Sequence, residues 1–292
     1  MKRSIVFIAA LALLLAGCGS KEPAATTGPT QVTAPPAPTT EPIIGTTRPT
    51  DGPAEPKTKT IYIRTASTSA SDGAVARTEY IFDEQNLLTQ VVVYTNGTET
   101  RRHSVECDEN GNYIRWTSEG SRIEYSYDKS GNPLGHASYM GSALISETVY
   151  TWEGTLRTSA TTRMPIQGLE HRTLMTYNES GKLIRQDNYD GTVLSSYCLY
   201  TLGEDGRPTV MTTYRADGTL EKTVSYSYEG NITTGTAAGP DGQMLQYTEQ
   251  IHDEHGNLLS VTAYDAEGNM LTQQTHSWMA IEVPADSLRA SV

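Results

Sequence analysis

His252-Asp-Glu-His255 places two imidazoles and two carboxylates in four consecutive residues, which by type is a metal-ligand set. Neighbouring side chains on a strand entering a turn point apart, and the stretch does not resemble the His-Glu-x-x-His arrangement that puts two ligands on one helical face. A second candidate recurs along the chain. Asp-x-x-Gly-Asn occurs at Asp108-Glu-Asn-Gly-Asn112, Asp128-Lys-Ser-Gly-Asn132, Asp253-Glu-His-Gly-Asn257 and Asp265-Ala-Glu-Gly-Asn269, with a looser version at Asn178-Glu-Ser-Gly-Lys182. Calcium takes about six to eight oxygens, more than one such loop supplies, and the spacing matches neither an EF-hand nor a nonapeptide calcium repeat. For nucleophilic chemistry, Gly-x-Ser-x-Gly is absent and neither Cys107 nor Cys198 has a local partner. Scattered carboxylates leave room for a facing glycosidase pair, which a sequence alone does not locate. The expectation is a protein with no catalytic set, no metal and no cofactor.

Two other residue classes carry chemistry. Trp116, Trp152 and Trp278, beside many tyrosines, threonines and serines, offer rings that stack on sugars and hydroxyls that bond to them; the same rings also serve as cross-strand packing. Cys18 is an acyl acceptor by context. MKRSIVFIAALALLLAGC has basic Lys2 and Arg3, an apolar run from Ile5 to Ala16, and a small-residue site. That run is shorter than the ~20 residues of a spanning helix. Leu15-Ala16-Gly17-Cys18 resembles the bacterial lipobox, which implies diacylglyceryl transfer to the Cys18 thiol, cleavage before it and a membrane tether; the alternative is an ordinary secretory leader with an incidental cysteine. Residues 1–17 are therefore expected to be a lipoprotein signal peptide. Residues 18–57 follow as the lipidated cysteine and a stalk of Thr, Pro, Ala and Gly, too poor in large apolar side chains to offset the entropy of ordering.

Charge narrows the partners. The chain has 22 Lys+Arg against 34 Asp+Glu, and without Lys2 and Arg3 the balance is 20 against 34, about −14. Such a surface repels phosphate backbones and anionic headgroups, so nucleic acid is not an expected partner and attachment falls to the lipid. The expected location is the bacterial envelope, on the extracytoplasmic side.

These residues must be held by something regular. Gly recurs at turn signals from Asn96-Gly97 to Gly268 at intervals of 9 to 15 residues, and the stretches between alternate and are rich in Thr, Tyr, Val, Ser and Ile. That is the signature of strands and hairpins. Three fixed residues at ordinary usage give about 0.03 chance copies of Asp-x-x-Gly-Asn in a chain this long, so four copies mean repetition. The Asp accepts backbone N–H groups two or more residues on, and the Gly takes the left-handed conformation of a tight reversal.

Tyr125-Ser-Tyr127-Asp128-Lys-Ser-Gly131-Asn132-Pro-Leu134 and Tyr264-Asp265-Ala-Glu-Gly268-Asn269-Met-Leu271 resemble the YD repeats of Rhs and related cell-surface proteins, over residues 77 to 276. The resemblance implies strand-turn-strand units stacked in one antiparallel sheet that curls into a spiral or shell, often in secreted proteins linked to surface contact, toxin delivery or carbohydrate binding. His252 and Cys107 stand where the tyrosine before Asp is expected, and Asp83-Glu-Gln-Asn86 lacks the Gly.

The fold class expected is all-β: a repetitive hairpin meander over 58–283 in one large curled sheet, an open spiral or barrel-like roll of about 16 or 17 strands, with 284–292 as a tail. In an open sheet Cys107 and Cys198 lie about 38 Å apart and remain thiols. The functional expectation is a surface-displayed, non-catalytic lipoprotein that binds a glycan, a cell-wall component or a protein. The alternatives are a structural lipoprotein that associates through open sheet edges and a glycan-processing enzyme.

Overall fold

The computed structural model describes residues 58–71 and 73–285; the leader, Cys18, the stalk and nearly all of the tail lie outside them. Eighteen strands follow one another: β1 (Thr58–Ser71), β2 (Ala74–Phe82), β3 (Leu88–Thr95), β4 (Thr98–Cys107), β5 (Tyr113–Ser118), β6 (Ser121–Tyr127), β7 (Pro133–Met140), β8 (Ala143–Glu153) and β9 (Leu156–Met164), then β10 (Leu169–Tyr177), β11 (Leu183–Asp190), β12 (Val193–Leu202), β13 (Pro208–Arg215), β14 (Leu220–Glu229), β15 (Ile232–Ala238), β16 (Met244–His252), β17 (Leu258–Asp265) and β18 (Met270–Pro284). The count exceeds the expected 16 or 17, and β18 runs to Pro284, one residue past the expected boundary.

Each strand pairs antiparallel with its neighbours in sequence, and β1 pairs with β18 from Thr58↔Pro284 to Ser71↔Thr272. The meander therefore closes into a barrel, the rolled form of the two expected. Closure removes the open edges on which lateral association would depend. The exception is a two-stranded ribbon. Thr58–Arg64 pairs with Trp278–Pro284 beyond the point where β2 and β17 stop, with a bulge between Arg64 and Ala66. Ile61, Ile63, Ile281 and Val283 form its buried cluster against Phe82, and Tyr62 stacks on His255 at 4.7 Å.

The turns repeat one design. In Asp128–Asn132, Asp128 Oδ1 accepts the backbone N–H groups of Ser130 (2.8 Å) and Asn132 (2.9 Å), and Oδ2 accepts the Asn132 side-chain amide at 2.9 Å. Gly131 sits at φ 84°, where a Cβ would be strained. The same contacts recur at Asp108, Asp253 and Asp265. In the loop that lacks the glycine, Asn86 takes φ 60° in its place, as the residue type that best tolerates this region. Because strands alternate in direction, the turns at 83–87, 108–112, 128–132, 178–182, 203–207 and 253–257 share one end of the barrel with the ribbon. We call this end the Asp rim; the opposite end is the short-turn rim.

Alternation gives the sheet two faces. Following the registers around the ring, Val91, Val105, Cys198, Met211, Val224, Ala237, Ser67, Thr148, Thr213 and His276 fall on one face and are buried, against Val92 and Thr262 on the other. Closing a sheet crowds its concave side, so the first face lines the lumen. Cys107 and Cys198, on β4 and β12, are not joined in a disulfide, and Cys198 Sγ lies 3.5 Å from Thr213 Oγ1.

Candidate ligand-binding face

The lumen face is layered. The last lumen-facing residue before each Asp-rim reversal recurs at about 25-residue spacing: Phe82, Cys107, Tyr127, Trp152, Tyr177, Leu202, Tyr228 and His252, with Trp278 completing the ring on β18. This collar is the position of the tyrosine in the repeat. Its larger members tie neighbouring strands together at the rim. Trp152 Nε1 donates to Pro133 O at 2.7 Å, Tyr177 Oη to Arg157 O at 2.7 Å, Tyr228 Oη to Pro208 O at 2.7 Å, and Trp278 Nε1 to Leu258 O at 2.8 Å. A polar tip on an apolar ring meets a backbone carbonyl at a bulged strand start. Two of the three candidate tryptophans thus fasten hairpins, and Trp278 also carries Arg64 over its ring at 5.0 Å.

Trp116 has a different setting. It stands mid-strand on β5 in a row of lumen-face rings that crosses five neighbouring strands. The steps are His103–Trp116 5.9 Å, Trp116–Tyr125 6.3 Å, Tyr125–His136 5.9 Å and His136–Tyr150 6.3 Å between centroids. Arg157 lies 5.2 Å over Tyr150 at one end. At the other, Arg101 sits two residues from His103 on the same face. Burial, and then the Arg101 charge, pull the His103 pKa below the ordinary imidazole range; burial alone does so for His136, and burial, then Tyr150, push the Tyr125 phenol up. Neutral imidazoles keep one donor and one acceptor each. Beside the row, Gly135 brings β7 against β8 so closely that a Cβ would lie 2.1 Å from Thr148 O.

Among the described residues, four side chains on or against the lumen face also carry a buried polar atom without a hydrogen-bond partner: Arg64 Nε, Trp116 Nε1, Tyr226 Oη and His276 Nδ1. Further from the collar the lumen face turns polar. Gln186 Nε2 donates to Asn188 Oδ1 at 3.0 Å, and Asn188 lies within 3.2 Å of both Thr173 and Ser196 hydroxyls.

The turn carboxylates are engaged by their own loops. Hydrogen bonds from Asn132 and Asn269 hold Asp128 and Asp265 below the usual carboxylate range; at Asp108 and Asp253 burial opposes the shift and the loop hydrogen bonds prevail. His252 and His255 do not converge on a metal position: His252 belongs to the collar, and His255 stacks on Tyr62. Among the described residues no three His, Cys, Asp or Glu side chains cluster as metal ligands.

The ring row escapes sequence reading because its members fall on five strands at irregular separations. The collar is legible as the residue preceding an acidic, Asn or Gly turn start about every 25 residues, once Phe, Cys, Trp, Leu and His are allowed in the tyrosine position.

No family model matches the sequence, and no curated protein matches it. Solved structures do. The chain is similar to the crystal structure of TcdB2-TccC3-TEV (11% identity, 70% of this chain and 17% of that one, TM-score 0.27). It is also similar to a porin-like protein from Bacteroides vulgatus (9%, 74% and 98%, TM-score 0.34) and one from Bacteroides uniformis (10%, 75% and 97%, TM-score 0.30). The chain spans about a sixth of the first of these, and the likeness to all three is one of strand arrangement, without bearing on function.

Proposed function

We propose that this protein is a lipid-anchored envelope lipoprotein whose barrel binds, without catalysis, a glycan or cell-wall component, with a protein partner as the coarser alternative. The observation that carries the reading is the five-ring row His103–Trp116–Tyr125–His136–Tyr150. Its steps of about 6 Å are comparable to the length of a pyranose residue, the Thr148 and Thr162 hydroxyls lie beside it, and the Gln186–Asn188 amides follow three strands on. Such a mixture stacks on sugar faces and bonds their hydroxyls.

Attachment through acyl chains, and not by the barrel spanning a bilayer, is favoured by both faces. The convex face carries Arg115 with Glu106 and Glu124, Arg163 with Glu170, and Arg185 with Asp187. The lumen face carries the Gln186–Asn188 network, so neither face offers the apolar band a lipid-facing barrel surface needs. A non-catalytic role is favoured because the recurrent aspartates already accept up to three hydrogen bonds from their own loops. The edge-association alternative loses support through ring closure.

Every strand pairing lies within 58–284, so the chain from residue 19 onward retains the whole sheet. That form, probed on glycan arrays and with sonicated envelope polysaccharide, is expected to retain a saccharide and to release no shortened product. No retention on any array or envelope fraction would refute the reading.

A further inference from the structure

Charge is sorted between the two faces of the barrel. Following the registers, Glu79, Glu106, Glu124, Glu147, Glu170 and Asp187 all fall on the convex face, most of them beside an arginine. On the lumen face the described strands carry Arg101, Arg157, Arg215 and Lys222, with Arg64 over Trp278 where the ribbon leaves the barrel. The one carboxylate there outside the turn loops, Asp190 at the short-turn rim, is held by His171 Nδ1 at 2.6 Å. Among the described residues, a chain of formal charge −12 therefore encloses strands whose lumen-face formal charges, Asp190 and the turn aspartates apart, are positive. Protein walls of low dielectric focus such a field on whatever enters, and an 18-stranded ring is of the size that leaves an aqueous lumen.

Position adds to sign. Arg101 and Lys222 stand two or three residues into their strands from the short-turn rim, away from the ribbon, while Arg157 lies at the Asp-rim end of the ring row. Arg101, the ring row and Arg157 lie on the wall formed by β4–β9, whereas Lys222 on β14 is eight strands from β4 by the shorter way round and stands on the opposite wall; a chain entering along the first wall meets Arg101, then aromatic rings, then Arg157. We infer that the lumen takes an acidic polysaccharide, its carboxylate or phosphate groups meeting Arg101 and Arg157 and its sugar rings lying along the ring row, with Lys222 and Arg215 adding to the field from the opposite wall. This deepens the glycan-binding reading above and rests on it. Rings spaced for pyranoses, with hydroxyl neighbours, favour a saccharide over an acidic peptide.

The test is isothermal titration of the chain from residue 19 onward with a polyuronate, a sugar-phosphate polymer, neutral dextran and single-stranded DNA of matched length, at low and high salt. At least one acidic saccharide is expected to bind, at least tenfold more tightly than dextran, with affinity falling at least tenfold as salt rises. Arg101→Gln with Arg157→Gln should lose at least tenfold for the acidic saccharide, whereas Arg77→Gln on the convex face should not; circular dichroism confirms that both variants keep their strands. The polyuronate and sugar-phosphate arms separate carboxylate from phosphate recognition. Dextran binding as tightly as the acidic polymers would overturn the charge inference while leaving the glycan reading intact. DNA binding as tightly as the acidic saccharides would overturn the assignment to sugar, and failure of all saccharide arms would overturn both.

Discussion

Tyr228 gives its hydroxyl hydrogen to the carbonyl of Pro208, 2.7 Å away on the neighbouring strand and twenty residues earlier in sequence. This tie, with its counterparts at Trp152, Tyr177 and Trp278, joins the end of one strand to the start of the strand before it, at the rim where the ladder is bulged. Tyr228→Phe keeps the ring and removes the donor to the Pro208 carbonyl. The expected cost is about 1 kcal/mol in urea denaturation with an unchanged m-value. Tyr214→Phe, at a convex-face ring stacked on Tyr197 at 5.0 Å, is expected to cost less.

His276 supplies a pH dependence. It is 8% exposed, and burial together with the Arg64 charge pulls its pKa from 6.5 to about 4. The unfolded chain therefore takes up this proton at a higher pH than the folded one. The associated stability is complete above about pH 6.5 and is lost as pH falls toward 4, by up to about 3 kcal/mol. The turn aspartates act at lower pH: their folded pKa values are depressed, so their contribution is lost only below the usual carboxylate range. Melting temperature against pH should show a shoulder between pH 6.5 and 4 that His276→Gln removes; an unchanged shoulder would contradict the assignment.

Gly135 should not tolerate a side chain. A Cβ there would stand 2.1 Å from the Thr148 carbonyl oxygen, a backbone atom with nowhere to go. Gly135→Ala is expected to cost about 2–3 kcal/mol or more in chemical denaturation. Gly235→Ala, which would meet only side-chain atoms at 3.2 and 3.3 Å, should be milder.

Much of this fold was legible because the turn chemistry is local. An aspartate that caps its own loop and a glycine at positive φ need no tertiary partner, so the hairpins could be placed from sequence. The first reversals were harder: Gly73 stands outside the Asp-x-x-Gly-Asn pattern, and Asn86 replaces a glycine, which lowers the strand count. Closure was not legible, since it depends on β1 meeting β18 some 200 residues later. Nor was the sorting of charge. Register shifts near most hairpin reversals, as between Glu106 and Cys107 or Ser126 and Tyr127, reset which parity faces the lumen, so alternation read along the sequence does not carry across a reversal. Trp152 and Trp278 looked like ligand-stacking rings by type; only their indole contacts reveal the fastening role.

The lipid anchor makes its own prediction. Cys18 lies outside the described residues, and the chain expressed in a bacterial host is expected to incorporate labelled palmitate at that thiol and to fractionate with membranes. Cys18→Ala should abolish both. Label retained in that variant would contradict the assignment. Alkylation without reduction should modify both Cys107 and Cys198.

Ring closure underlies the lumen, the sorting of charge and the proposed ligand, and it can be measured directly. Thr68 and Thr275 are register partners on β1 and β18 and face outward. Nitroxide labels at these two positions, in a background with the native cysteines replaced, should report a single spin–spin distance below about 20 Å by pulsed electron paramagnetic resonance. Seventeen strand steps in an open sheet would separate them by about 80 Å, and a distribution lacking the short distance would contradict the closed barrel.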